Sequence, residues 1–159
     1  AWSVPFDLAA GARFMERGFA NQYVRRLLQS LKAKVRAREG EIGHLIDLER
    51  TLLAKTFWEF DDAATAPLHG FDGADDYYRQ SSSARFLPTI TVPTIVVHTG
   101  DDPILPAAAI PREAMQANPA ITPVVSRRGG HVGFVGGAVP FLPHFWAEDQ
   151  IVRWLADRV

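Results

Sequence analysis

The sequence predicts an α/β fold, a parallel sheet with crossover helices, on three observations. Val92 to Val97 is a near-continuous apolar run of strand length, rich in β-branched residues, which suits a parallel strand buried on both faces. Ile121 to Ser126 is a second such run, and Arg112 to Ala117 between them has the composition of a short helix. A strand, helix, strand order with short loops implies a right-handed βαβ unit and parallel pairing. Glu148 to Val159 then carries Ile151, Val152, Trp154 and Leu155 at helical spacing, a terminal amphipathic helix expected to cover the sheet.

The elements before the first strand follow from local patterns. Ala1 to Asp7 begins without an initiator Met or a basic lead-in and reads as the end of a buried strand entered midway, so the chain is expected to be a fragment. Ala10 to Arg38 contains no proline. Phe19, Tyr23, Leu27, Leu31 and Val35 recur at i+4, Val24 and Leu28 widen the stripe, and Arg25, Arg26, Lys32, Lys34, Arg36 and Arg38 fill the other face. That is a long amphipathic helix or a helix pair. Its cations are read as a solvated face suited to a helix C-terminus before Gly40, with a membrane surface or an anionic partner as the alternative. A second helical block is expected from Ile42 to Phe60, closed by Asp61-Asp62 and the loop from Pro67 to Gly73. Asp72 is the expected N-cap of a short helix running from Ala74 towards Ser82.

Composition narrows the class. The chain has 159 residues, is 47% hydrophobic and 22% charged, and carries a formal charge of −1, which is long enough and apolar enough for a sizeable core. Seventeen basic residues against eighteen acidic ones leave no general field for nucleic acid, and no apolar run reaches the roughly 20 residues that span a bilayer. A cytoplasmic protein without a transmembrane segment is the default expectation. The absence of cysteine excludes disulfides and Cys-based zinc sites.

Two motifs carry chemistry. His98-Thr99-Gly100-Asp101-Asp102-Pro103 follows the first strand, and Gly129-Gly130-His131-Val132-Gly133-Phe134 follows the second. Both lie where an open α/β sheet presents functional side chains, beyond the carboxyl ends of its strands. An aspartate and a histidine so placed suit the acid and the base of a nucleophilic triad, with either Asp101 or Asp102 as the acid. The third member is missing: the chain has no Gly-x-Ser-x-Gly, and Ser81-Ser82-Ser83 lies at a helix end without a glycine elbow. A metal site built from His98, Asp101, Asp102 and His131 is the rival chemistry, but its spacing matches no zinc signature.

Ser3-Val4-Pro5-Phe6-Asp7-Leu8, Phe60-Asp61-Asp62, Ala66-Pro67-Leu68-His69-Gly70-Phe71, Asp76-Tyr77-Tyr78 and the Gly-Gly-His segment together resemble the YheT-like hydrolases, relatives of the ABHD1/ABHD3-type esterases. The resemblance implies the C-terminal part of an α/β-hydrolase fold plus a helical cap. Residues 1–7 would end a core strand, 8–80 would form the cap region, and 81–159 would be the core that carries acid and base. It also implies Asp102, directly before Pro103, as the acid, His131 as the general base, and Asp101 as a turn residue. His98 is expected to be structural. His69, Phe57, Trp58, Phe60, Tyr77 and Tyr78 would belong to the cap and its hinge, either walling an acyl pocket or packing the cap's own core. Gly136, Gly137 and Pro140 to Pro143 would border the entrance.

The expected activity is serine-type carboxylic ester hydrolysis through an acyl-enzyme, with serine and oxyanion hole supplied by an N-terminal segment of the same protein absent from this chain. The fragment alone would be inactive. No cofactor and no metal are expected, and the partner is a small-molecule acyl ester or lipid. A non-catalytic binding protein of the same fold is one alternative; an Asp or Cys nucleophile on that fold is another.

Overall fold

The computed structural model describes residues 1–136 and 144–158. The chain divides into two compact units, Ala1–Phe6 with Ser83–Val159, and Asp7–Ser82.

The first unit is built on a parallel pair, β1 (Thr94–Thr99) and β2 (Ile121–Ser126), in register from Thr94 opposite Ile121 to Thr99 opposite Ser126. The other edge of β1 is taken by the chain start. Trp2 bridges Val97 in parallel, the Ser3 N–H donates to the Val97 carbonyl across 2.9 Å, and the Val97 N–H donates to Ala1. With a neighbour on each side, β1 is buried from Ile95 to Thr99, which accounts for its unbroken apolar sequence. Pro123 sits in β2, the outer strand among the described residues, where a missing N–H is tolerated.

Alternate side chains of β1 serve two cores. Val96 packs with Phe6, Leu87, Ile110, Ile121 and Met115, the last from α8 (Arg112–Ala117). Ile95 and Val97 pack with Phe134 and with Ala147 of α9 (Trp146–Ala156). The terminal helix thus starts two residues before the expected Glu148. A short antiparallel pair that the pattern did not predict, β3 (Val135–Gly136) with β4 (His144–Phe145), precedes it. Gly136 lies in β3, whereas Gly137 and Pro140 to Pro143 fall outside the described residues.

The second unit is all helical. Its long first segment is a pair, α1 (Leu8–Met15) and α2 (Ala20–Ala37), separated at Gly18, whose φ of +58° breaks the helix at no steric cost. The buried stripe of α2 is Val24, Leu28 and Val35, while Phe19, Tyr23 and Leu27 are exposed. Steps of four residues overshoot one turn by about 40°, so the row from Phe19 to Val35 rotates by about 160° and passes from solvent to core.

The expected block from Ile42 to Phe60 is interrupted by local caps. It resolves into α3 (Glu39–Ile42), a 3₁₀ turn at Gly43–Leu45, α4 (Leu48–Leu53) and α5 (Phe57–Phe60). Asp47 accepts from the Arg50 N–H, and Thr56 forms a reciprocal capping box with Glu59, so each starts a new helix. Asp61-Asp62 does not close the block. Helical structure continues through a π turn (Asp61–Thr65) into α6 (Ala66–Leu68).

Nor does Asp72 cap the next helix, α7 (Ala74–Ser81). Gly73 intervenes, and the Ala74 N–H donates to Asp62 Oδ1 across 3.0 Å, so the π turn supplies the cap. No helix among the described residues is long and apolar enough to cross a membrane.

Candidate active site

The first strand ends in a turn that positions two carboxylates differently. Because Pro103 has no N–H, Asp102 Oδ1 accepts from the next two amides, Ile104 at 2.8 Å and Leu105 at 3.0 Å. This fixes the carboxylate plane and leaves Oδ2 directed at His131 Nδ1, 2.8 Å away. The Asp102 side chain is fully buried and the imidazole is about one-third exposed (31%). A carboxylate only accepts, so Nδ1 carries the proton in this contact and Nε2 presents its lone pair. Among the described residues Nε2 has no hydrogen-bond partner. A buried acceptor behind an imidazole with one free nitrogen is an arrangement suited to general-base chemistry.

The peptides around His131 are held from three directions. Asp101, exposed, accepts the Gly130 N–H at 3.0 Å, and the Thr99 hydroxyl donates to the Gly130 carbonyl at 2.7 Å. The Ser3 hydroxyl donates to the carbonyl of His131 itself. Ser3 is buried, with a φ of +45° that is unusual for a non-glycine residue. Gly129 closes the turn. A Cβ there would lie 2.8 Å from Thr99 Cγ2 and 3.0 Å from Phe134 Cδ1, so only glycine permits this approach.

The structure therefore brings together Asp102 and His131 and puts Asp101 on the backbone of the histidine loop. His98 is apart from them, buried and stacked on Phe6 at 5.7 Å, its Nδ1 accepting the Thr99 N–H. Among the described residues no group of three His, Asp or Glu side chains is placed to hold a metal ion. Ser82 and Ser83 are engaged with the carbonyls of Tyr78 and Pro5. Ser3 and Thr99 are the site residues that sequence reasoning missed. Nothing local marks a serine whose partner lies 128 residues away.

In the helical unit, His69 is exposed, while Phe57, Trp58, Tyr77 and Tyr78 pack on one another and on Ala12 and Ala74. Tyr78 meets Trp58 edge-on at 5.0 Å and donates its hydroxyl to Asp61 Oδ2 at 2.6 Å. Thr65 donates to the other Asp61 oxygen at 2.5 Å. Burial raises the Asp61 pKa above the ordinary carboxylate value against the opposing effect of these bonds, and burial, then Asp61, raise that of Tyr78.

The sequence is similar to several curated proteins. It is 39% identical to YheT of Escherichia coli over 157 residues, covering 96% of this chain and 45% of that protein. An abhydrolase domain-containing protein of Dictyostelium discoideum is 31% identical over 157 residues, 97% of this chain and 39% of the relative. Phospholipase ABHD3 of Mus musculus is 36% identical over 120 residues, 76% and 28% respectively. The chain thus spans less than half the length of each. No protein-family model matches it, and no solved structure does.

Proposed function

The chain belongs to the YheT-like, ABHD-related α/β-hydrolases, and on that premise we propose that it carries the acid and base of a serine ester hydrolase. A serine from a segment outside these 159 residues attacks the carbonyl carbon of a carboxylic ester. His131 Nε2 takes the hydroxyl proton and returns it to the leaving alkoxide, and Asp102 stabilises the imidazolium in between. Water then attacks the acyl-enzyme with His131 again as base, releasing the acid and regenerating the serine. The observation that carries this reading is the 2.8 Å contact from Asp102 Oδ2 to His131 Nδ1, made by a carboxylate whose other oxygen is already fixed by two amides.

The substrate is a small acyl ester or lipid, in keeping with the phospholipase name of one relative. The helical unit is its cap. Two facts support that role: it has a core of its own, and in the sheet unit the ends of the insertion lie side by side, the Ser83 and Ala84 N–H groups donating to the carbonyls of Pro5 and Phe6.

The test is a fluorophosphonate probe on the full-length protein, with peptide mapping of the labelled residue and turnover of p-nitrophenyl esters. Labelling of one serine outside this chain, with turnover lost in His131→Ala, is the expected result. Absence of both labelling and turnover would favour a binding protein, and turnover without serine labelling would favour an Asp or Cys nucleophile.

A further inference from the structure

We propose that Ser3 is a positioning residue for the catalytic base, a role that rests on the hydrolase reading of the site: its hydroxyl holds the peptide that follows His131 and so aims the imidazole. A side chain takes its direction where it leaves the backbone. Holding one neighbouring peptide plane leaves the Cα–Cβ bond free to swing about the bond to that plane, whereas holding both fixes it. At His131 both are held through their carbonyls. The Thr99 hydroxyl donates to the Gly130 carbonyl at 2.7 Å and fixes the preceding plane, and the Ser3 hydroxyl donates to the His131 carbonyl and fixes the following one. Among the described residues no other donor reaches the His131 carbonyl. With the backbone so held, the 2.8 Å contact with Asp102 has only the ring left to orient.

Backbone strain points to the same residue. Ser3 has a φ of +45°, and among the described residues the one other non-glycine with a positive φ is Phe134, at +43°. Phe134 closes the histidine loop, its N–H donating to the Gly129 carbonyl at 2.9 Å, and its ring meets the Trp2 ring edge-on at 5.3 Å. Two consecutive residues of the chain start thus support the loop, Trp2 at Phe134 and Ser3 at His131. Both are anchored on β1, since Trp2 bridges Val97 and the Ser3 N–H donates to the Val97 carbonyl at 2.9 Å. A strained conformation persists where its surroundings impose it, and such conformations gather at functional sites. Glycine would adopt this φ freely but would bring no hydroxyl. Ser3 is buried, and among the described residues its hydroxyl bonds only the His131 carbonyl and not Nε2, so it supports the base and does not stand in for the nucleophile.

Three substitutions in the full-length protein separate the hydroxyl from the strain: Ser3→Gly removes both, Ser3→Ala removes the hydroxyl alone, and Ser3→Thr keeps it. Turnover should follow the hydroxyl. For a p-nitrophenyl ester, kcat should fall by about 10- to 100-fold in Ser3→Gly and Ser3→Ala with KM within about twofold of wild type, and Ser3→Thr should recover kcat to within about threefold. Stability should follow the strain instead, with Ser3→Gly melting above Ser3→Ala. A second readout needs no turnover: in protein with isotopically labelled histidine, exchange of the His131 Nδ1 proton with water should quicken by at least about tenfold in Ser3→Gly, as the contact with Asp102 opens more often. A kcat in Ser3→Gly within about twofold of wild type would overturn the role, as would a folded Ser3→Thr no faster than Ser3→Gly. Should Ser3→Thr not fold, a Ser3→Gly that is more stable than Ser3→Ala and equally slow carries the same conclusion. If the wild type hydrolyses no ester, the hydrolase reading fails and the support of His131 is judged on proton exchange, where an unchanged rate in Ser3→Gly overturns it.

Discussion

Thr99, the last residue of β1, donates its hydroxyl to the carbonyl of Gly130 across 2.7 Å, so the end of the strand holds the peptide that precedes His131. The residue is fully buried, and Thr99→Val keeps its shape while leaving that carbonyl without its donor. The expected cost is about 1–2 kcal/mol in urea unfolding, with a loss in kcat larger than the change in KM. Thr99→Ser, which retains the hydroxyl, should recover most of the turnover. Equal turnover in Thr99→Val and wild type would show that this bond does not position the histidine.

Gly129 and Gly130 should respond differently to alanine. At Gly129 a Cβ meets Thr99 and Phe134 at 2.8 and 3.0 Å, and overpacking of that kind costs about 1–3 kcal/mol. At Gly130 the space is open and only its φ of +67° resists, a penalty of about 1–2 kcal/mol. Thermal unfolding of the two variants checks the order, with Gly129→Ala the less stable.

Asp62, not Asp72, is expected to matter for α7. Its bond from the Ala74 N–H, and then Arg50, hold its pKa below the ordinary value. A lowered folded-state pKa gives stability that is present above the unfolded value and lost as pH falls through the folded one. Asp62→Ala should therefore cost about 1 kcal/mol near neutral pH and progressively less below about pH 4. Asp72→Ala should cost less than half as much throughout. Denaturant titrations at several pH values measure both.

Asp61 has the opposite sign. Its pKa is raised by burial, so its contribution favours the folded state at low pH and is lost as pH rises through the folded value. Measured against Asp61→Asn, which cannot titrate, the wild type should gain relative stability as pH falls towards about 4. A constant difference across that range would contradict the burial argument.

Much of this was legible because it is local. β2 and α8 have the bounds that the pattern predicts, since apolar runs and short loops are properties of consecutive residues. The Gly-Asp-Asp-Pro turn and the Gly-Gly-His turn pointed to His131 and to either Asp101 or Asp102, the family resemblance favoured Asp102, and the two turns come together because both leave adjacent parallel strands at the same end. What could not be read depends on distant partners. Ser3 meets the carbonyl of His131, 128 residues further along the chain, and Asp62 caps a helix that begins 12 residues later. The α2 stripe was misplaced because a row at i+4 winds around the helix, so its first half faces solvent.

The central claim, that Asp102 serves His131 as a catalytic acid, is tested most directly by comparing Asp102→Asn with Asp101→Asn in the full-length protein. An amide at position 102 would favour the wrong imidazole tautomer and could not support the imidazolium, so kcat for an ester substrate should fall by about 10⁴-fold with the unfolding transition nearly unchanged. Among the described residues Asp101 reaches only the Gly130 N–H, and an amide at that position can still accept that bond, so Asp101→Asn should lower kcat by less than about tenfold. Retention of wild-type kcat in Asp102→Asn, or a larger loss in Asp101→Asn, would contradict the account.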